Sequence, residues 1–409
     1  MSAIYKHAFL TIAASAAPGD QAGFLGERKI LPGRKLENDI PCLPHRVVEM
    51  RKTYISKTRG SPMDPEENPL NARAWAFQEH LVPARFLDFR SSEITWECKR
   101  ATWSERGFNS EFSGLSSPIR REEYQQTFEN GDHDTLYNWA YRIVEEYAPL
   151  KISLEADRLS ALSAVASEMQ QRTGDEYLAG LWASDLLRGL MWRCGVEVGW
   201  LPAKYRAPSW SWASIELTYL AFDARFKSSF GIVSDGLTAV VLEAECQPEG
   251  ISLTGRVRGG FITLRGHWCR QMVRFERKSC SISGSPDEGS GYYFLEGLPG
   301  TRSVIPWRFW PDTTLEVQSY QAAGGVTRQY LQRSRLRHSV EASFNINHPV
   351  YCIAIAERIN FMDLFTFLVL DHAEGKEDTY QRLGLAMILA EDVPSGWIES
   401  MEVSDFTIV

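Results

Sequence analysis

The stretch NARAWAFQEHLVPARFLDF, residues 71–89, sets an arginine, a tryptophan and an adjacent Gln-Glu pair on about two helical turns ahead of a proline. On a helix, Gln78 and Glu79 lie three and four residues after Trp75, so the three share a face, with Arg73 just before them. A carboxylate beside an aromatic wall can hold a ribose hydroxyl or stabilise a cationic transition state in glycosidic cleavage, which makes Glu79 the candidate catalytic residue. The competing reading is architectural. In it Trp75 packs in a core while Gln78 and Glu79 accept hydrogen bonds from a neighbouring loop or pair with Arg73 or Arg85. No second catalytic group stands beside Glu79 in the chain, so the architectural reading is preferred.

Other chemistry-bearing residues weigh the same way. No G-x-S-x-G elbow, H-E-x-x-H, phosphate-binding loop or G-x-G-x-x-G occurs, so hydrolase, zinc-protease and nucleotide-fingerprint readings have no local support. Asp132, His133 and Asp134 are too closely spaced for a metal site without a distant partner, and are expected to cap a helix. In APSWSWAS the period is two, which turns Trp210 and Trp212 to one face of a strand and Ser209 and Ser211 to the other. Such tryptophans could form a stacking platform, but core packing is preferred. Arg333, Arg335 and Arg337 sit at strand spacing with no acidic residue between Glu316 and Glu341. They are read as a solvated edge strand whose charges discourage aggregation, ahead of an anion site.

The elements that must position these residues can be outlined. Asn71 is the expected N-cap of the helix holding Trp75 and Leu81, and Pro83 ends it. ARFLDF and EITWEC follow as a hairpin through RSS, with Leu87 and Phe89 facing Ile94, Trp96 and Cys98. Residues 1–60 read as short strands and loops, with AFLTIAA as a buried strand in preference to the core of a signal peptide. SPMDPEENPL, from Ser61, is an extended loop, and FNSEFSGLSSPIR, from Phe108, marks a domain boundary.

Residues 134–192 read as helical. Asp134 caps one helix bearing Leu136, Ala140, Ile143, Val144 and Tyr147, and Asp157 caps a second bearing Leu159, Leu162, Ala166 and Met169. A third places Leu178, Leu181, Trp182 and Leu186 at helical spacing. Beyond Arg206 the β-like segments LTAVVLEAEC, FITLRGHW, YCIAIAE, FTFLVLD and LGLAMILA dominate, interrupted by a flexible Ser/Gly-rich loop at 279–291. The expected organisation is α+β, divided into 1–105, a mainly helical 106–200 and a β-rich 201–409.

Composition sets the outer limits. With 409 residues, 44% hydrophobic and 23% charged, the chain is that of a folded globular protein of more than one domain. The longest apolar run, FMDLFTFLVLD, is broken by Asp363 and is a buried strand or hairpin, so no membrane span is expected. A net charge of -8 argues against nucleic acid as a partner. The seven cysteines are scattered without a C-x-x-C pair, which fits reduced thiols in the cytoplasm.

Four collinear blocks, RAWAFQEHLVPARFLDF, RLSALSAVASEM, GDEYLAGLWASDLLRGLMWR and YRAPSWSWAS, together resemble fungal heterokaryon-incompatibility (HET) domain proteins. The resemblance begins at IYKHAFLTIAAS and extends to VYCIAIAE, FTFLVLD and YQRLGLAMI. Its motif residues here are Arg73, Trp75, Gln78, Glu79, Trp210 and Trp212. Two family segments, around Leu-Ser-Tyr-x-Trp-Gly and Trp-x-Asp-x-Leu-Cys-Ile, are missing upstream, so the chain is expected to start inside the HET domain: a truncated α/β remnant with an unpaired sheet edge, whether a start assigned too far downstream or a gene fragment. The resemblance implies a role in non-self recognition linked to programmed cell death, through protein partners and self-association, with no cofactor evident. The family's likeness to Toll/interleukin-receptor domains, some of which cleave NAD, supplies the alternative: an NAD glycohydrolase-like enzyme using Glu79, with NAD as substrate.

Overall fold

The computed structural model describes residues 2–25, 34–35, 49–50, 68–91, 93–105, 121–194, 198–222, 237–277, 291–296, 307–321, 327–335, 346–359, 362–373 and 376–409. The chain divides into two compact units, Met1–Asn130 and Gly131–Val409. Among the described residues strand outweighs helix, 43% to 26%, and the excess lies mostly in the C-terminal half, in line with an α+β chain. Residues 61–67, 108–120 and 279–290, together with Arg337, lie outside the described residues, and with them most of three expected loops. Among the described residues no helix is long and apolar enough to cross a membrane.

The N-terminal unit runs α1 (Ser2–His7), β1 (Thr11–Ala13), the minimal strands β2 (Arg34–Lys35) and β3 (Glu49–Met50), α2 (Ala74–Leu81), β4 (Arg85–Phe89), β5 (Ile94–Cys98), β6 (Thr102–Ser104) and α3 (Arg121–Asn130). One sheet has the order β1-β4-β5-β6, with β1 parallel to β4 and the rest antiparallel. The expected hairpin is present, Leu87 opposite Trp96 and Phe89 opposite Ile94. Helix α2 also forms where expected and stops two residues short of Pro83, whose ring clashes with a continuing helix.

Its start differs. Pro69 opens a 3-10 turn over Pro69–Ala72, so Asn71 lies inside that turn and Arg73 is the N-cap, without a side-chain cap bond. Asn71 instead accepts from the Ser15 hydroxyl at 3.4 Å. AFLTIAA does supply a strand, but not a buried one: Ala13 is buried while Ile12 is 56% exposed, because β1 pairs only with β4 among the described residues.

The C-terminal unit opens with α4 (His133–Tyr147), whose cap is Asp132 rather than Asp134: its carboxylate accepts from the Thr135 amide at 2.9 Å. Leu136, Ala140, Ile143, Val144 and Tyr147 are buried on it as expected. Before α5 (Ser163–Thr173), two 3-10 turns replace the first helical turns, so Asp157 sits in a turn and not at a cap. The third expected helix does not form. Ala179 and Gly180 adopt φ of 45° and 104°, a tight turn that folds β7 (Tyr177–Leu178) back on β8 (Leu181–Trp182). Leu178, Leu181, Trp182 and Leu186 are nonetheless all buried, so their spacing records burial without helix. The short α6 (Leu186–Gly189) and the pair β9 (Trp192–Cys194) and β10 (Leu220–Phe222) complete this part.

The remaining strands are β11 (Val240–Pro248), β12 (Val257–Arg277), β13 (Gly291–Leu295), β14 (Trp307–Pro311), β15 (Leu315–Gln321), β16 (Thr327–Arg333), β17 (Asn347–Ile359), β18 (Met362–His372), β19 (Tyr380–Leu389) and β20 (Glu402–Ile408). Neighbours pair in the order β12-β13-β14-β19-β18-β17, and β17 pairs back on β12, closing the ring into a barrel. β12 is long enough, at 21 residues, to hold β11 and β20 along its first part and β17 and β13 along its second. Inward residues such as Val273, Leu295, Trp307, Val350, Cys352, Phe367 and Leu383 form one apolar cluster, so the barrel is a filled core. FTFLVL, at the centre of β18, is buried throughout, which explains its unbroken apolar run.

Candidate functional site

The β4-β5 hairpin hides polar residues. Phe86, Asp88, Thr95 and Glu97 occupy its buried face, while Leu87, Phe89, Ile94 and Trp96 are only partly covered. α2 and α3 complete the cluster with His80 and Arg121. His80 Nε2 meets Glu97 Oε2 at 2.8 Å, and the Arg90 guanidinium joins Asp88 at 2.6 Å and Glu97 at 3.3 Å. Burial alone would push the Glu97 carboxyl up. The His80 pairing and the charges of Arg90 and Arg121 outweigh it and hold Glu97 down at about 2.

Arg121 is fully buried and donates to the carbonyls of His80, Leu81 and Pro83, closing the C-terminal end of α2 with a positive charge against the helix dipole. Its guanidinium also lies 5.0 Å above the Phe86 ring. Burial lowers it to about 10. Among the described residues, Asp88 Oδ1, Thr95 Oγ1 and Arg121 Nε of this cluster have no hydrogen-bond partner. Asp88 and Thr95 are opposite one another on β4 and β5, so two of them share one spot on the sheet. Chemically, the cluster offers a half-exposed imidazole oriented by a buried carboxylate, the arrangement of a general base or of a charge-sensitive contact.

The α2 residues singled out in the sequence are adjacent but differ in environment. Gln78 turns inward and is buried, and Trp75 is partly covered. Glu79 is half-buried and accepts a hydrogen bond from the Tyr5 hydroxyl of α1, with the exposed Arg73 nearby. Burial raises its carboxyl above the usual range against the opposing pull of Tyr5 and Arg73. Glu79 therefore ties α1 to α2, which is the architectural role with Tyr5 in place of a loop.

Trp210 and Trp212 lie in the other unit and are 0% and 1% exposed. The strand expected there is absent. A turn closed by Ser211 N on Pro208 O leads into a 3-10 turn over Trp212–Ser214, capped by the Ser211 hydroxyl on Ala213 N at 3.0 Å. Serine hydroxyls thus compete with the strand ladder, and Ser209 and Ser211 are buried beside the tryptophans. The Trp212 indole donates to Gly180 O at 3.0 Å, and Trp192 donates to Trp210 O at 2.9 Å. Both tryptophans are core, so neither offers a stacking platform.

Arg333 also departs from expectation. It is buried and donates to Ser214 Oγ at 3.0 Å, and Arg335 alone of that stripe is exposed among the described residues. Next to it, Arg382 and Asp312, both 0% exposed, pair at 2.9 and 3.2 Å. The remaining Arg382 donors reach Leu190 O and Trp192 O, with the guanidinium 3.5 Å from the Trp192 ring centre. This node fastens the β9 region to the barrel strand β19.

His80, Asp88, Glu97 and Arg121 escaped the sequence reading. The signal available was the alternation of Glu93, Thr95 and Glu97 in EITWEC, with Asp88 in RFLDF opposite Thr95, which reads as a solvent face until helices cover it. Among the described residues no group of three or more His, Cys, Asp or Glu is placed to hold a metal ion. Compared with known proteins, the chain matches no family model, no curated relative and no solved structure.

Proposed function

We propose that this chain is a HET-type signalling protein of the fungal cytoplasm, in which the N-terminal unit recognises protein partners, a second copy of the chain first among them, and so triggers programmed cell death. The observation that carries this reading is the edge of the N-terminal sheet at β1, which pairs only with β4 among the described residues. Ile4 and Phe9, just ahead of β1, and Ile12 within it are 71%, 79% and 56% exposed, an apolar concentration suited to contact with another chain. A second copy presents the same apolar edge, and an unpaired strand is a ready template for pairing. In this reading Glu79 acts through Tyr5, holding α1 beside that edge.

The alternative, cleavage of NAD with Glu79 as the catalytic carboxylate, draws support from the raised Glu79 carboxyl and from the half-exposed His80 one residue on. Expression in a filamentous fungus separates the two. Signalling through the edge predicts that the wild type kills, that Ile12→Asp abolishes killing while the protein still accumulates, and that Glu79→Gln retains it. Loss of killing and of cellular NAD depletion together in Glu79→Gln, with Ile12→Asp still active, would overturn the proposal in favour of the enzyme.

A further inference from the structure

The barrel has one seam. β12 and β17 are its closing pair, joined along Trp268–Arg274 and Asn347–Ile353. One residue in from the end of that seam, Cys269 stands directly opposite Cys352. Side chains of opposed residues in an antiparallel pair point to the same face, and their Cα atoms are about 4.5 or 5.5 Å apart according to the hydrogen-bonding class of the pair. Both values fall within the roughly 4.4–6.8 Å that a disulfide spans. The other described cysteines have no such neighbour: Cys98 faces Arg85, Cys194 faces Leu220 and Cys246 faces Gly260.

We propose that Cys269 and Cys352 form a reversible disulfide that staples the seam at which the barrel closes, with a hydroperoxide as oxidant. The two sulfurs are already in contact, the Cys352 thiol donating a hydrogen bond to Cys269, and Gln271 Nε2 reaches Cys269 Sγ at 3.9 Å. Those two donors favour the Cys269 thiolate and lower its pKa against the effect of burial, whereas burial pushes the Cys194 and Cys246 thiols up to about 12. Exposure divides the roles. Cys269 is partly exposed and Cys352 is fully buried in the core cluster, so Cys269 meets the oxidant and Cys352 resolves it.

The chemistry balances. The Cys269 thiolate attacks one peroxide oxygen, the O–O bond breaks, and the departing hydroxide takes a proton to leave as water, with Cys269 now a sulfenic acid. Cys352, giving up its thiol proton, attacks the Cys269 sulfur; the S–O bond breaks, the S–S bond forms, and the hydroxyl leaves as a second water. Two thiols supply the two electrons that reduce one hydroperoxide. The cross-link closes a loop of roughly 80 residues, which restricts the unfolded chain strongly.

The test uses the full chain, reduced, then treated with hydrogen peroxide, alkylated and mapped by mass spectrometry, with melting measured before and after. The expected result is a linked Cys269–Cys352 peptide that dithiothreitol removes, a rise of about 5–15 °C in melting midpoint on oxidation, and no linked peptide in Cys269→Ala. In Cys352→Ala the sulfenic acid at Cys269 should persist and react with dimedone. If that core variant does not fold, the wild-type map and Cys269→Ala carry the test. Overoxidation of Cys269 in the wild type without a linked peptide, a disulfide to any other cysteine, or an unchanged or lower midpoint would overturn the proposal.

Discussion

Each unit buries arginine beside carboxylate, and the two burials are finished differently. Around Arg382 and Asp312 both carboxylate oxygens and every guanidinium nitrogen have partners, and an indole covers the cation. Burial pushes the Asp312 carboxyl up and Arg382 down, and the bidentate pairing opposes both. Among the described residues of the N-terminal unit, Asp88, Thr95 and Arg121 each keep an unpartnered atom, and His80 reaches the surface. A saturated pair has nothing left to offer a ligand and acts as a fastener. An unsaturated one keeps polar atoms that a ligand or partner could still engage, in keeping with the recognition role proposed for the N-terminal unit.

The comparison breaks most visibly at the fastener. Arg382→Met strips the buried Asp312 of its bidentate partner and leaves it only the more distant charge of Arg333, so chemical denaturation should show a loss of about 3–5 kcal/mol in the C-terminal unit. Replacing Gly180 attacks the same region through the backbone. A Cβ there would lie 2.5 Å from Trp212 Nε1 at a φ of +104°, so Gly180→Ala should cost about 2 kcal/mol or more and should perturb near-UV circular dichroism from the buried tryptophans.

The polar cluster of the N-terminal unit should respond to pH instead. The Glu97 carboxyl is held at about 2, below its unfolded value, so its stabilisation is complete above the ordinary carboxylate range and is lost as the pH falls towards 2. The protection factors of the β4 and β5 amides, corrected for the intrinsic pH dependence of amide exchange, should therefore fall as the buffer is taken from neutral to about pH 3, and Glu97→Gln should flatten that dependence. Thr95→Val is the finest discriminator. Among the described residues the buried Thr95 hydroxyl has no hydrogen-bond partner, so the near-isosteric change to Val removes an uncompensated desolvation cost and should raise stability by about 1 kcal/mol, read as a higher melting midpoint.

Much of the fold could be read from the chain because local pattern and tertiary demand agree there. The helix over Ala74–Leu81, its stop before Pro83, the hairpin that follows and the long barrel strands carry unambiguous periods. The reading failed where short-range chemistry overrode the period. Ala179 and Gly180 turned a helix-like apolar spacing into a hairpin, and the Ser211 hydroxyl capped a 3-10 turn that begins at Trp212 and breaks the alternation. It failed again where burial came from a distant element. Nothing near Arg333 in the chain announces Ser214, and nothing in EITWEC announces that His80 will cover Glu97. The candidate site was therefore legible as a neighbourhood, residues 73–98, and not as a set of partners.

Sedimentation velocity of the purified full chain, wild type against Ile12→Asp, tests most directly whether the N-terminal edge is the surface that recognises. The account predicts that the wild type self-associates as concentration rises and that Ile12→Asp sediments as a folded monomer under the same conditions. A wild type that stays monomeric throughout, or an Ile12→Asp protein that associates equally well, would contradict it.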